Sequence, residues 1–347
     1  MQAVTFQAPG EVRVEEKPDP EPTEPDEALV RVTAAGVCGS DLHILHGRHP
    51  VEPGFTLGHE FTGEVVAVGD EVTRVAPGDR VTGSFVTACG HCFFCDRGQF
   101  HHCVDQRIFG HGKISGDLQG AQAEQLVVPR ADMTLRNVPD GLADDVALFA
   151  GDVMNTGVFA VRSAGVRSGD SVVILGMGPV GLCTVQAARH AGAELVLAVD
   201  GVSERLEMAQ RFGATPVHLT EQDPRAEIKA HTEGRGADVG VEAVGTPEAL
   251  DLAIRLTRRA GKLAIIGVHG KPCEVHMGLL WNKSLTVTTG LANVLAHFED
   301  TLSLLAAGEL DPSPLVDRRL PLEQAPEAYA AYDRREALKI VLTPSGG

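Results

Sequence analysis

The chain has 347 residues, enough for two domains with buried cores, and its 43% hydrophobic and 22% charged content is ordinary for a soluble globular protein. Lys and Arg number 30 against 47 Asp and Glu, a net charge of −17 with no basic stripe to offset it, which argues against nucleic acid and anionic membrane surfaces as partners. No run approaches the ~20 apolar residues of a membrane span. The start, Met1-Gln2-Ala3-Val4-Thr5-Phe6, lacks the charged and apolar regions of a secretion signal, so a cytoplasmic location is expected. Seven cysteines in that setting point to metal before disulfides.

Val12 and Val14, then Ala28, Val30 and Val32, alternate with polar residues, and the proline-rich piece Pro18 to Pro25 interrupts them. This pattern predicts strands joined by an exposed turn. Glu64 to Gly69 and Arg80 to Phe85 continue it across a turn at Pro77-Gly78-Asp79. Residues 1–153 therefore read as a mostly β domain with few helices.

Two groups of chemically active residues lie inside it. Cys38-Gly39-Ser40-Asp41-Leu42-His43 is followed by Gly58-His59-Glu60. One thiol, one imidazole and one carboxylate can hold zinc and leave a fourth position open, as a Lewis-acid catalyst requires. Further on, Cys89, Cys92, Cys95 and Cys103 follow the spacing C-x2-C-x2-C-x7-C in a glycine-containing loop. Four thiolates suit a closed, structural zinc site that would organise the loop. The spacing also admits an iron–sulfur cluster, and two disulfides fit the compartment poorly.

From residue 154 the pattern changes to alternating strand and helix. Ser171 to Leu175 is a short β-branched run followed by Gly176-Met177-Gly178-Pro179-Val180-Gly181. A helix is predicted from Pro179 to Gly192 and a second strand from Leu195 to Val199, ending at Asp200. Such glycines make a tight turn that lets backbone approach a pyrophosphate, and the acid at the next strand end can accept from a ribose 2′-OH and repel a 2′-phosphate. NAD is therefore preferred to NADP. Helices over Ser203 to Phe212, Asp223 to Thr232 and Pro247 to Arg259 alternate with strands over Pro216 to Leu219, Asp238 to Ala243, Lys262 to Gly267 and Ser284 to Thr288. The expected fold class is α/β, a doubly wound parallel sheet beside the β domain. Val244, Val268 and Leu291 follow strand ends, where such a sheet binds its ligand, and Arg205 is placed to reach the adenosine end. An amphipathic helix, Val294 to Ala307, and a β-like tail, Lys339 to Leu342, complete the chain.

The run Gly58-His59-Glu60-x2-Gly63-x5-Gly69-x2-Val72, with the four-cysteine loop and the nucleotide turn in the same order, resembles the zinc-containing alcohol dehydrogenases of the medium-chain dehydrogenase/reductase superfamily. The resemblance covers essentially the whole chain. It implies a GroES-like catalytic domain (1–153), a Rossmann domain (154–290) and a segment (291–347) that returns to the catalytic domain. It also implies two zinc ions per chain, one structural and one catalytic. The catalytic ligands fall on Cys38 and His59, with Asp152 standing where many members have cysteine and Glu60 as alternate ligand. It further implies Ser40 and His43 as a proton relay through the nicotinamide ribose, Asp41 as the acid that orients His59, and Thr156 beneath the nicotinamide. The implied activity is reversible hydride transfer between a primary or secondary alcohol and NAD. The same machinery acting on a polyol, threonine or formaldehyde is the near alternative, and a non-catalytic NAD- and zinc-binding protein the distant one. A homotetramer is implied by resemblance alone, with Ser284 to Thr288 as a candidate edge for pairing between subunits.

Overall fold

The computed structural model describes residues 1–344. The chain divides into two compact units, Met1–Asp152 together with the chain from Asn293 onward, and Val153–Ala292.

The first unit is mostly β. Its larger sheet runs, in spatial order, Leu135–Asn137, Arg80–Gly83, Glu60–Val68, Ala28–Val37, Lys339–Thr343 and Val316–Pro321, with Gln125–Val128 also paired to Ala28–Val37. A smaller sheet joins Glu11–Glu16, Gln2–Ala8 and Phe55–Thr56. Inward positions of these strands, among them Val30, Val32, Phe61, Val65 and Val81, build one core. Val4, Phe6, Val37, Ile340 and Leu342 build another with Tyr329 from the helix Ala325–Asp333. The register of the larger sheet gathers the chemistry. Gly36 faces Glu60 on one neighbour, and Val37 faces Ile340 on the other. Cys38, His59 and Lys339 thus sit at the same end of three adjacent strands.

The second unit holds six parallel strands in the order Thr215–His218, Leu195–Asp200, Ser171–Leu175, Ala237–Glu242, Thr257–Ile265, Thr286–Thr289. In chain order this is 3-2-1-4-5-6, the doubly wound arrangement of dinucleotide-binding domains. Its central strands bury apolar runs such as Val172–Leu175 and Val196–Val199, as strands covered by helices on both faces do.

Several boundaries depart from expectation. The helix expected to reach Arg259 ends at Leu256, and Thr257 already opens a strand. Thr257 Oγ1 donates to the Ala253 carbonyl at 2.8 Å, closing the helix, and its β-branch suits the extended backbone that follows. The strand expected from Ser284 starts at Thr286, because Ser284 terminates an unanticipated helix, Met277–Lys283, in the left-handed conformation. The strand expected from Glu64 starts four residues earlier, at Glu60.

Candidate functional site

Cys38 leaves the strand Ala28–Val37 and caps the short helix Gly39–Leu45. Asp41, fully buried, does two things there. Its Oδ2 accepts from the Cys38 N–H at 2.9 Å, and its Oδ1 stands 3.3 Å from His59 Nδ1, off hydrogen-bonding geometry. A polar chain backs it: Tyr329 Oη donates to Gln122 Oε1 at 2.8 Å, and Gln122 Nε2 donates to the Gly36 carbonyl at 3.0 Å and lies 3.4 Å from Asp41 Oδ2. Such partners fix the orientation and tautomer of a ligating imidazole.

On its other side His59 presents Nε2 to Asp152 Oδ2 at 3.2 Å and to Ser40 Oγ at 3.1 Å. Cys38 Sγ is 3.6 Å from the same Asp152 oxygen. One ligand atom each from Cys38, His59, Glu60 and Asp152 lies within 4.8 Å of the others. Donors sharing one tetrahedral zinc at bonds of ~2.0–2.3 Å stand roughly 3.3–3.8 Å apart, so these separations and the S, N, O donor set fit zinc.

The charges agree. Burial pushes the Cys38 thiol up. Although burial opposes it, Asp41 beside His59 raises the imidazole well above its usual range. The Asp152 carboxyl is likewise penalised by burial, yet its hydrogen bond to His59 holds it below the usual carboxylate range. Clustered buried acids thus favour positive charge at their centre.

Glu60 and Lys339 form an ion pair with no solvent exposure on either side chain. Burial raises the Glu60 carboxyl against the pull of Lys339. Glu60 spends Oε2 on this pair and leaves Oε1 without a partner. Gly36 makes the pair possible, since a Cβ there would fall 2.0 Å from Glu60 Oε2. Lys339 is one residue at the site that sequence reasoning missed. Its signal was a lysine opening the apolar run Ile340-Val341-Leu342, because lysine is almost never buried unless paired. His111 was missed as well. Its ring packs edge-on against His59 with centroids 5.1 Å apart, and burial, reinforced by His59, lowers its pKa to about 4.

The four-cysteine loop closes between Val86–Thr87 and Arg107–Ile108. Its four sulfurs lie within 4.8 Å of one another. Cys92 and Cys95 are 3.6 Å apart and Cys89 and Cys95 4.0 Å, far beyond a covalent S–S bond and close to the edge of a Zn–S4 tetrahedron. Backbone N–H groups of Cys89 and Asp105 donate to Cys103 Sγ at 3.2 and 3.4 Å.

In the second unit Gly176 adopts φ +91. A Cβ on Gly181 would fall 1.8 Å from the Gly176 carbonyl oxygen, so only glycine lets the helix start this close to the strand. A Cβ on Gly178, the helix N-cap, would meet no protein atom within 4 Å. Pro179 occupies the first helical turn and Val180 follows it. Asp200 pins the turn: Oδ2 accepts from the Met177 N–H at 2.6 Å and Oδ1 from the Val202 N–H at 2.9 Å. Each oxygen keeps a second lone pair. Arg205 stands at the start of the helix Ser203–Arg211 and Thr156 in the helix Val153–Ala164. Val244, Val268 and Leu291 are exposed by 48%, 61% and 39% just past their strand ends, unusual for apolar side chains on a covered sheet.

Residues 24–140 match the alcohol dehydrogenase GroES-like domain family and residues 179–307 the zinc-binding dehydrogenase family. Alcohol dehydrogenase TADH from Thermus sp. ATN1 has a similar structure, with 43% identity, a TM-score of 0.95 and coverage of 99% of this chain and 100% of that one. The probable zinc-binding alcohol dehydrogenase of Mycobacterium tuberculosis is 38% identical over 99% of this chain and 89% of its own. The sorbitol dehydrogenase of Bacillus subtilis is 33% identical over 99% and 98%. The chain belongs to the zinc-containing alcohol dehydrogenase family of the medium-chain dehydrogenases/reductases. No helix among the described residues is long and apolar enough to cross a membrane.

Proposed function

We propose that this protein is an NAD-dependent oxidoreductase that converts a primary or secondary alcohol reversibly to an aldehyde or ketone. The observation that carries the reading is that Asp152 Oδ2 lies 3.2 Å from His59 Nε2 and 3.6 Å from Cys38 Sγ, with all three ligand atoms within 4.8 Å of one another, a spacing suited to ligands that share one ion. Cys38, His59 and Asp152 would hold a catalytic zinc, with Glu60 tethered by Lys339 as alternate ligand. Cys89, Cys92, Cys95 and Cys103 would hold a structural one. When bound, the catalytic zinc supplies a Lewis acid that favours loss of the hydroxyl proton. Ser40, at the start of its helix and 3.1 Å from His59 Nε2, would accept that proton. His43, one turn on, would release it to solvent. Burial, with Arg48, His46 and His49 nearby, lowers its pKa, so it is neutral and ready to accept at pH 7.

The glycine turn from Gly176 to Gly181 and Asp200 would hold NAD, with Thr156, Arg205, Val244, Val268 and Leu291 around it. Zinc-loaded protein should therefore reduce NAD with at least one of ethanol, 2-butanol, benzyl alcohol, sorbitol, threonine or formaldehyde; no reduction with any of them would sink the reading. In the same assay Asp200→Gly should shift the NAD-to-NADP ratio of kcat/KM by roughly tenfold toward NADP, the worth of a hydrogen bond to a charged group. The ratio is the readout, because loss of the Met177 contact weakens both cofactors alike. An unchanged ratio would refute the ribose role.

Self-association, as a homotetramer, is supported by the sheet edge Thr286–Thr289 and by Trp281 and Met277, exposed by 83% and 67% on the preceding helix. Light scattering should give a multiple of the 36.7 kDa chain, and a monomer would overturn it.

A further inference from the structure

The proton relay and the metal cluster make no use of the loop Gly110-His111-Gly112, yet it is built against them. Gly110 and Gly112 have φ +71 and +68. A Cβ on Gly110 would lie 2.6 Å from the Gly58 carbonyl oxygen and 2.8 Å from its nitrogen, so the loop backbone rests on the residue before His59. A Cβ on Gly112 would lie 3.2 Å from Val51, close to His49. The His111 ring stands between those two histidines, with centroids 5.1 Å from His59 and 5.3 Å from His49, both edge-to-face. Phe85 packs edge-on against His59, with centroids 6.3 Å apart.

Hydrogen bonds set the tautomers. His111 Nδ1 is 2.8 Å from the Phe109 carbonyl, which can only accept, so Nδ1 carries the proton. In the neutral ring Nε2 is then a bare acceptor. Among the described residues it has no hydrogen-bond partner, and it is not one of their buried unpaired atoms, so it keeps some exposure although the residue is largely buried. His49 repeats the pattern: its Nε2 is 2.7 Å from the His111 carbonyl, which leaves Nδ1 bare. His111, packed on the candidate ligand His59, and His49 behind it are thereby turned into acceptors. A simple alcohol, whose single hydroxyl is the group oxidised, gives them nothing to bind.

We propose that His111 Nε2 accepts a hydrogen bond from a second hydroxyl of the substrate, next to the one oxidised, so that vicinal diols and polyols are the preferred substrate class. His49 holds the His111 backbone in place and adds a second acceptor for a longer polyol. This rests on the reading that Cys38, His59 and Asp152 hold the catalytic zinc and that the reacting hydroxyl binds there.

The test compares kcat/KM for NAD reduction on 2,3-butanediol, 2-butanol and 3-methoxy-2-butanol, the last keeping the bulk of the diol but having no second proton to donate. Wild-type enzyme should favour the diol over both others by roughly tenfold, since one acceptor open to water discriminates less than a sealed pocket. His111→Phe should bring the diol-to-monoalcohol ratio near one, and His111→Gln, which keeps an acceptor, should restore part of it. A methoxy compound as good as the diol overturns the proposal, as does a ratio unmoved by His111→Phe. The methoxy comparison decides alone if the variants do not fold. Wild-type, zinc-loaded enzyme that oxidises none of the three overturns this proposal, and the parent reading falls with it only if the wider panel of alcohols fails too; enzyme that oxidises all three equally defeats only this one.

Discussion

Lys339→Met should lower stability by about 3–5 kcal/mol, because it leaves the Glu60 carboxylate buried without its partner. At roughly 2–4 °C per kcal/mol for a unit of this size, the melting temperature should fall by about 10 °C. The pair has no water to fall back on, since neither side chain has any exposure. The cost is that of stranding a charge, which differs from the net worth of the pair. The double variant Glu60→Gln, Lys339→Met removes both charges at nearly constant volume and should recover most of the loss. Calorimetry on the three proteins separates the cases. A single variant as stable as wild type would mean that Glu60 and Lys339 do not face each other as ions, and a double variant as damaged as the single would point to packing instead. Function should follow, because Glu60 adjoins His59 in sequence and joins the same donor cluster. Freed from Lys339, its carboxylate would be a stronger competitor for a metal held by that cluster.

Much of this was legible beforehand, and the parts that were not share a cause. The nucleotide turn is a local object: strand, glycines, helix and Asp200 lie within thirty residues, and each leaves a local mark in the sequence. The four cysteines are local too. Cys38 and His59 stood out because Gly58-His59-Glu60 carries a strong resemblance. Lys339 did not, because its partner is 279 residues away and only the strand pairing Ile340–Val37, Gly36–Glu60 brings them together. His111 stayed hidden for a similar reason. Histidine between two glycines reads as a surface loop until the left-handed turns fold it against Gly58. The overrun of the helix past Leu256 is a different failure: Thr257, Arg258 and Arg259 fit a helical end by composition, and the pull of the neighbouring strand decided the matter. Asp41 serves two neighbours because its oxygens divide: Oδ2 accepts from the Cys38 N–H and Oδ1 stands 3.3 Å from His59 Nδ1.

Wild-type protein should carry two zinc ions per chain by elemental analysis, and His59→Ala should carry one. Truncation removes the only nitrogen donor and the group that spans Asp41 and Asp152, so Cys38 and Asp152 remain as an incomplete site. Loss of a Lewis acid worth several kcal/mol should slow hydride transfer by ~10³-fold or more. NADH should still bind, because the glycine turn and Asp200 belong to the other unit. Asp41→Asn keeps the Cys38 cap and removes the charge behind His59, so metal affinity should fall by only about 10–100-fold. Cys95→Ser should remove the other ion, and its damage should appear as lost stability, since a metal there would organise that loop. The two losses are therefore independent in zinc count and different in kind. If His59→Ala retains both ions, His59 is not a ligand and the cluster of Cys38, Glu60 and Asp152 needs another explanation. If it loses both, the loop and the cluster depend on each other in a way that their separate places in the fold do not account for.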